Sequence, residues 1–201
     1  MWRLFYNIIL LAVSPVIVAV LLAKQRCRRG LLQRLGLKNS LSGLSGLSGP
    51  SCRPKQPDRL NEPDRPDRPV IWIHAVSLGE VVAVTPLVNE LHRRHPGHRL
   101  VVSTVTETGR EAVEQRLVGV ADHCYAPLDF PCVVSRFIER LQPSLYLFVE
   151  TELWPNLLWH LRRRGVPTAL VNGRLSTRSF ARQQWAPVRS FYRTMLQTLS
   201  L

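Results

Sequence analysis

From residue 70 onward, short apolar runs alternate with longer stretches of helical periodicity. The short runs are rich in β-branched and aromatic residues, which predicts buried strands. They cover 70–73, 100–105, 122–126, 145–149 and 168–171. The stretches between them repeat apolar residues at helical spacing. These predict helices over 81–91, 110–117, 131–141 and 155–164, and a last helix from about Thr177. Five strand–helix units in succession predict an α/β fold with a parallel, doubly wound sheet.

The amino terminus has a different pattern, because residues 4–23 form an apolar run without any charged side chain. The run is about as long as a bilayer core is thick. Basic residues follow it from Lys24, and the positive-inside rule assigns such a flank to the cytoplasm. We therefore predict a membrane-anchor helix with its basic flank over 1–37, either spanning the bilayer or lying in one leaflet.

Residues 38–69 are of low complexity. The tripeptide Leu-Ser-Gly occurs three times in succession from Leu41 to Gly49, and a stretch rich in Pro, Asp and Arg follows. Glycine and proline at this density break helices and strands, and the mixed charges favour solvation. We predict a flexible linker over 38–69, followed by one folded domain over 70–201.

The formal net charge of +13 makes an anionic partner expected, such as lipid, a phosphorylated substrate or nucleic acid. Nucleic acid is disfavoured, because the arginines are spread out and no recognised binding motif occurs. The four cysteines do not stand at C-x-x-C spacing, which argues against a metal knuckle. Neither a G-x-G-x-x-G turn after the first strand nor a G-K-S or G-K-T loop is found. These absences argue against a dinucleotide or P-loop triphosphate site.

The candidate chemistry lies in loops that follow the predicted strands, where parallel α/β sheets bind ligands. Ser77, Gly79 and Glu80 follow the first strand. Ser77 and Glu80 have the spacing of a capping box at a helix start. Alternatively, Glu80 acts as a general base in a cleft, with Gly79 letting a substrate approach the backbone. Both interpretations stay open on spacing alone.

Two more acidic residues follow the fourth strand, since Glu150 closes it and Glu152 opens the next loop. They either satisfy a helix N-terminus or serve acid–base chemistry and the orientation of a sugar hydroxyl. Arg174 follows the fifth strand. His74 ends the first strand, where it contacts substrate or fills a structural hydrogen-bonding role.

Five stretches of the chain resemble the N-terminal half of the bacterial Kdo transferases, the 3-deoxy-D-manno-octulosonic acid transferases of lipid A assembly. They read IWIHAVSLGEVVAVTPLV, T-x-T-G, YAPLDFP, ETELWPNL and NGRLSTRS. The N-terminal anchor and its basic flank are similar as well. The resemblance covers 1–37 loosely and 70–201 closely.

The resemblance implies the Rossmann-like, acceptor-binding N-terminal domain of a GT-B glycosyltransferase at the inner membrane, with its catalytic domain on the cytoplasmic side. Members of that family transfer Kdo from CMP-Kdo to the lipid A precursor, lipid IVA, with inversion and without a metal or other cofactor. By resemblance, Glu80 is the proton acceptor and Glu150 stabilises the transition state. The remaining expected site residues contact the acceptor: Ser77, Gly79, Glu152 and Arg174.

The chain departs from the family pattern at two motifs. E-R-x-G after the anchor reads Q-R-L-G over 33–36, and N-A-R-L-S reads N-G-R-L-S over 172–176. The C-terminal domain, which in the family binds CMP-Kdo, is absent from these 201 residues. We therefore expect this chain not to transfer sugar by itself. The alternative to an enzyme is a non-catalytic, membrane-tethered module that binds anionic lipid.

Overall fold

A parallel β-sheet is the centre of the molecule. The computed structural model describes residues 2–23, 30–35, 68–150, 152–174, 180 and 184–200. Within them, five parallel strands are ordered β3-β2-β1-β4-β5. The strands are β1 (Val70–His74), β2 (Arg99–Thr104), β3 (Asp122–Tyr125), β4 (Pro143–Val149) and β5 (Thr168–Val171). The predicted parallel α/β sheet is confirmed.

Helices connect successive strands and also precede and follow the sheet. They are α1 (Trp2–Ala23), α2 (Leu31–Arg34), α3 (Leu78–Arg94), α4 (Glu107–Arg116), α5 (Pro131–Leu141), α6 (Pro155–Arg163) and α7 (Ala186–Leu196). Two predicted segments lie outside the described residues: the linker predicted over 38–69, except for its last two positions, and the helix start near Thr177.

Two helices begin earlier than their apolar periodicity predicted. α3 begins at Leu78 and α4 at Glu107, so the three residues before each predicted start, 78–80 and 107–109, already belong to the helix. In α4 the Thr106 hydroxyl caps the helix by accepting the Gly109 N–H at 3.1 Å. Because the first turn of each helix lies at the edge of the sheet, it is polar and carries no apolar periodicity.

Apolar layers cover both faces of the sheet. One layer packs α5, α6 and α7 against Trp72, whose ring centroid lies 4.6 Å from that of Tyr146 and 5.0 Å from that of Phe137. The other layer packs α3 and α4 against Ile73 and Val102. A parallel sheet needs cover on both faces, so its strands read as continuous apolar runs. This arrangement confirms the predicted doubly wound layout.

The strand order reverses between β1 and β4. The chain builds outward from β1 through β2 to β3, and then returns to place β4 on the other side of β1. Helices after β1 and β2 cover one face, and helices after β3 and β4 cover the other. The carboxyl ends of β1 and β4 therefore flank the topological switch point, where open α/β sheets bind their ligands.

α1 docks on the domain through polar side chains of its first two turns. The Tyr6 hydroxyl donates to Asp129 at 2.8 Å, and Asn7 exchanges side-chain amide bonds of 3.2 and 2.7 Å with Asn156. Large apolar side chains elsewhere on α1 are exposed: Leu4, Phe5, Ile8, Ile9, Leu11, Val13 and Val16. Among the described residues, no helix has the length and apolar character needed to cross a membrane.

Candidate active site

Glu80 is a buried carboxylate in the first turn of α3, with 7% of its surface exposed. Its Oε2 accepts the Val76 N–H at 2.9 Å, and its Oε1 accepts the Ser77 hydroxyl at 3.0 Å. Ser77 is the N-cap of α3 as predicted, and Glu80 bonds back to it, but through the Ser77 hydroxyl. The reciprocal backbone bonds of a capping box do not form, because Ser77 makes no side-chain cap bond. The two bonds hold the carboxylate in one orientation at the switch point.

The loop after β2 holds Val76 in place. The Val76 carbonyl accepts the N–H of Val105 at 3.0 Å, the N–H of Thr106 at 3.1 Å and the Thr106 hydroxyl at 3.3 Å. The same residue therefore receives bonds through its carbonyl and donates to Glu80 through its N–H. Glu80 is thus fixed indirectly by a neighbouring strand end that lies far from it in sequence.

The electrostatic environment of Glu80 suits a base. Burial raises the pKa of Glu80, the hydrogen bonds from Val76 and Ser77 oppose that rise, and the nearby charges of Glu152 and Glu150 add to it. The structure thus brings together the three acidic residues that the sequence predicted at this edge. A raised pKa makes a carboxylate a stronger proton acceptor at neutral pH than an ordinary glutamate.

Glu150 adopts a backbone conformation that glutamate rarely takes. Its φ is 60°, in the left-handed region, and its N–H donates to the Val171 carbonyl at 3.0 Å. A non-glycine residue in this region costs about 1–2 kcal/mol. Backbone strain of this kind clusters at functional sites, where the surrounding structure enforces it. Among the described residues, Gln142 and Asn172 share this positive φ, so the strain alone assigns no role to the Glu150 side chain.

Glu152 and His74 contact the same tryptophan. The Trp154 indole N–H donates to Glu152 at 3.1 Å, and its ring lies edge-on to His74 with centroids 5.3 Å apart. His74 is fully buried, and burial lowers its pKa to about 4. Its Nδ1 bonds the Ser103 hydroxyl at 2.9 Å. The structural role proposed for His74 is therefore present, while its Nε2 has no hydrogen-bond partner among the described residues.

Gly79 and Arg174 lie at open positions beside this cluster. A Cβ built on Gly79 would meet no atom within 4 Å, so no described neighbour requires a glycine there. Arg174 is exposed in the loop after β5. Contact of either residue with an acceptor stays a prediction. Within the described ranges, no group of three His, Cys, Asp or Glu residues is placed to hold a metal ion.

A second polar cluster at the ends of β2 and β3 was not predicted from the sequence. The Tyr125 hydroxyl donates to Glu107, which also pairs with Arg110 at 2.7 Å. The Arg34 guanidinium lies 4.6 Å from the centre of the Tyr125 ring and donates to the Val105 carbonyl at 2.5 Å. The Q-R-L-G motif was the available signal for Arg34, but local periodicity gives no hint of a contact 91 positions along the chain.

The fold and the Glu80 site together define a class of protein: a doubly wound α/β domain with a buried carboxylate at its switch point. A sequence model of the family described as 3-deoxy-D-manno-octulosonic-acid transferase (kdotransferase) matches residues 52–201. The chain therefore belongs to this family, as the resemblance in its motifs predicted.

Individual relatives agree with this assignment. The chain is 36% identical over 205 residues to 3-deoxy-D-manno-octulosonic acid transferase of Haemophilus influenzae, covering 100% of this chain and 42% of that protein. It is 42% identical over 121 residues to the Bordetella pertussis transferase of the same name, covering 57% of this chain and 28% of that protein. The chain thus spans less than half the length of these relatives.

A solved structure is similar at a lower level. UDP-GlcNAc 2-epimerase from Neisseria meningitidis bound to UDP-GlcNAc matches with 14% identity and a TM-score of 0.44. The match covers 65% of this chain and 38% of the epimerase chain. This similarity is too low to support an argument about function.

Proposed function

We propose that this chain is the acceptor-binding part of a GT-B glycosyltransferase that transfers Kdo from CMP-Kdo to the lipid A precursor. The observation that carries the proposal is the Glu80 site. A buried, oriented carboxylate with a raised pKa lies at the switch point of a chain that belongs to the kdotransferase family. This is the kind of group that a hydroxyl nucleophile needs.

In the proposed reaction, Glu80 accepts the proton of an acceptor hydroxyl while that oxygen bonds to the anomeric carbon of Kdo. The bond between this carbon and the CMP phosphate breaks, and CMP leaves with the electron pair. Attack from the face opposite the leaving group inverts the anomeric configuration. General base catalysis of this type contributes about 10²- to 10⁴-fold to the rate.

Glu150 is proposed to act on the charge that develops during the same step. Cleavage of the bond to CMP leaves positive charge on the anomeric carbon, and a fixed carboxylate stabilises such charge without reorganising. Its strained backbone is consistent with a side chain held in one direction for this purpose. Glu152 and Arg174, with Ser77 and Gly79, are proposed to contact the acceptor sugar. The proposed step uses no metal or other cofactor.

The same proposal places the domain on the cytoplasmic face of the inner membrane, with α1 as its anchor. α1 turns its polar side chains toward the domain and exposes apolar ones, including Leu4, Ile8 and Leu11. Such a helix is suited to lie in one leaflet with its apolar side in the acyl region. The net charge of +13 favours a surface of anionic lipid.

The transfer reaction is tested with a chimera in which this chain is followed by the remaining part of the H. influenzae relative. Kdo transfer from CMP-Kdo to lipid IVA is measured in detergent for the chimera, for residues 1–201 alone and for the chimera carrying Glu80→Gln. We expect transfer by the chimera only, and its loss in Glu80→Gln. Equal transfer by the chimera and its Glu80→Gln form would remove Glu80 as the base. It would also move the search for the base to Glu150 and Glu152.

Membrane attachment is tested separately by flotation with vesicles of phosphatidylethanolamine and phosphatidylglycerol. We expect the chain to float with the vesicles, and Ile8→Lys combined with Leu11→Lys to abolish flotation. The control is Val118→Lys, because Val118 is also an exposed apolar residue but follows α4 on the domain. Flotation of the double variant at the wild-type level would contradict α1 as the anchor.

A further inference from the structure

We propose that Arg34, from the segment that follows α1, is a positioning residue that aligns the Glu80 carboxylate through the loop after β2. The inference rests on the proposed function only in calling Glu80 a base. It assigns a role to a residue that touches neither the predicted substrate contacts nor Glu80 itself. The route between Arg34 and Glu80 consists of hydrogen bonds between described residues.

Arg34 is held in one place by several contacts. It is 97% buried, and its guanidinium lies over the ring of Tyr125. Its own carbonyl accepts the Leu128 N–H at 2.9 Å, which ties α2 to the loop after β3. Gly30, which precedes α2, lies so close to Tyr125 that a Cβ there would fall 2.1 Å from the ring. The guanidinium is therefore an ordered donor inside the domain and not a solvated surface charge.

Three successive bonds connect this guanidinium to Glu80. Arg34 donates to the Val105 carbonyl at 2.5 Å. The peptide that carries this carbonyl also carries the Thr106 N–H, which donates to the Val76 carbonyl at 3.1 Å. Val76 in turn donates its N–H to Glu80 at 2.9 Å. A cation at the oxygen of a peptide polarises its N–H, so Arg34 strengthens the bond that fixes Val76.

The consequence is a coupling between the segment near α1 and the chemistry at the switch point. The Val76 N–H is one of two bonds that oppose the effect of burial on Glu80. Displacement of Val76 weakens this bond and turns the carboxylate away from its productive direction. Misplacement of a catalytic group by about 1 Å lowers a rate on the order of 10²-fold. Loss of Arg34 is therefore expected to alter both the proton affinity and the orientation of Glu80.

The first test uses the 201-residue chain and needs no sugar transfer. Glutamate is labelled with ¹³C at Cδ, the Glu80 resonance is assigned with Glu80→Gln, and its pKa is measured by NMR titration in detergent. We expect Arg34→Met, which keeps an apolar stem over Tyr125, to raise the Glu80 pKa. Arg34→Lys is expected to bring it back toward the wild-type value, because a lysine still donates to the Val105 carbonyl.

The matched control is Arg99→Met. Arg99 is a partly buried arginine of the same domain, and it pairs with Asp122 at 2.8 Å at the opposite ends of β2 and β3. We expect it to leave the Glu80 titration unchanged. If Arg34→Met does not fold, Gly30→Ala gives the decisive result, because its Cβ must push α2 and Arg34 away from Tyr125. A folded Arg34→Met or Gly30→Ala chain with a wild-type Glu80 titration would overturn the proposal.

The second test measures transfer by the chimera described above. Arg34→Met is expected to lower kcat/KM by about 10- to 100-fold. It is also expected to move the acidic limb of the pH profile of kcat/KM to higher pH. Both effects should be partly reversed in Arg34→Lys. A loss that reflected stability alone would leave the limb in place, and that result would overturn the coupling. If the wild-type chimera transfers no sugar, the proposed function fails, whereas the NMR titration still decides the role of Arg34.

Discussion

The carboxylates on the two halves of the sheet's carboxyl edge differ in whether a positive charge balances them. Beyond β2 and β3, Glu107 accepts the Tyr125 hydroxyl and pairs with Arg110, so its charge is balanced. Beyond β1 and β4, Glu80 accepts bonds from neutral groups and lies within the electrostatic reach of Glu150 and Glu152. Within the described part of the chain, no arginine or lysine forms an ion pair with these three glutamates.

This difference separates a structural cluster from a reactive one. Folding favours balanced charges, because an uncompensated carboxylate loses hydration when it is buried. The β2–β3 side follows this rule, whereas the β1–β4 side violates it and adds a left-handed glutamate at 150. Natural proteins break such rules mainly at functional sites. The unbalanced side coincides with the topological switch point, where a ligand is expected.

The largest expected difference between the two sides concerns catalysis. Glu80→Gln in the chimera is expected to lower kcat of Kdo transfer by about 10²- to 10⁴-fold, because the proton acceptor is lost. Glu107→Gln keeps an oxygen that can accept the Tyr125 hydroxyl, so its kcat of Kdo transfer is expected to stay within about threefold of the wild-type value. Initial rates at saturating CMP-Kdo measure both effects. Similar losses in the two variants would erase the distinction between the sides.

Glu150 is expected to show a trade-off between stability and activity. Glu150→Gly relieves the left-handed strain and should raise the free energy of unfolding by about 1 kcal/mol, measured with urea. The same change should lower transfer by about 10²-fold, since a charge-stabilising group is removed. Gln142→Gly is the matched control, because Gln142 has a φ of 46° at the end of α5. It should stabilise the chain without changing transfer, and a stable, fully active Glu150→Gly would contradict the role of Glu150.

The pH dependence follows from the raised pKa of Glu80. A base works only when deprotonated, so the acidic limb of kcat/KM should lie above the ordinary glutamate value of 4.5. Glu152→Gln removes a neighbouring negative charge and should move the limb to lower pH. If the acidic limb lies at or below pH 4.5, or does not shift in Glu152→Gln, then a group other than Glu80 controls it.

The free energy of unfolding should also depend on the titration of Glu80, but it should decrease over the pH range in which catalysis increases. Because the folded-state pKa of Glu80 exceeds its unfolded value, the folded chain binds the proton more tightly. The contribution of Glu80 to the free energy of unfolding therefore decreases as pH rises from 4.5 through the raised value. Burial raises the pKa of Asp129 to about 6, so Asp129 titrates over the same range in both chains. Urea unfolding at pH 5 and pH 8 should therefore show a smaller loss in Glu80→Gln than in the wild type, and equal losses would contradict the raised pKa of Glu80.

The smallest expected effect belongs to the balanced side. Arg110→Met removes ion pairs with Glu107 and Glu114, and the Arg110 side chain is 29% exposed. We expect the free energy of unfolding to fall by less than about 1 kcal/mol, and by less still in 1 M salt, because exposed pairs are screened. Transfer should be unchanged. A larger, salt-independent loss would mean that this cluster supports the site more directly than its geometry indicates.

Local patterns predicted the elements well, but they predicted the helix starts less well. The strands agree with the predicted runs to within about two residues. The three central strands, β1, β2 and β4, are largely buried on both faces and therefore have the clearest apolar runs. α3 and α4 begin three residues earlier than predicted, because their first turns are polar and lie at the sheet edge. Ser77 is the predicted N-cap and contacts Glu80, but the reciprocal backbone bonds of the capping box do not form. Spacing cannot tell which backbone N–H a carboxylate will meet.

The sequence by itself determined the alternation of strands and helices, and hence a parallel sheet with Glu80, Glu150 and Glu152 at one edge. That inference needs only local periodicity and the rule that parallel strands end on the same side. Only the tertiary structure decided that β4 pairs with β1, which brings these glutamates together and unbalances their charge. It also decided that Arg34 reaches the loop that holds Val76. Such contacts depend on strand order and on residues distant in sequence, which no local pattern encodes.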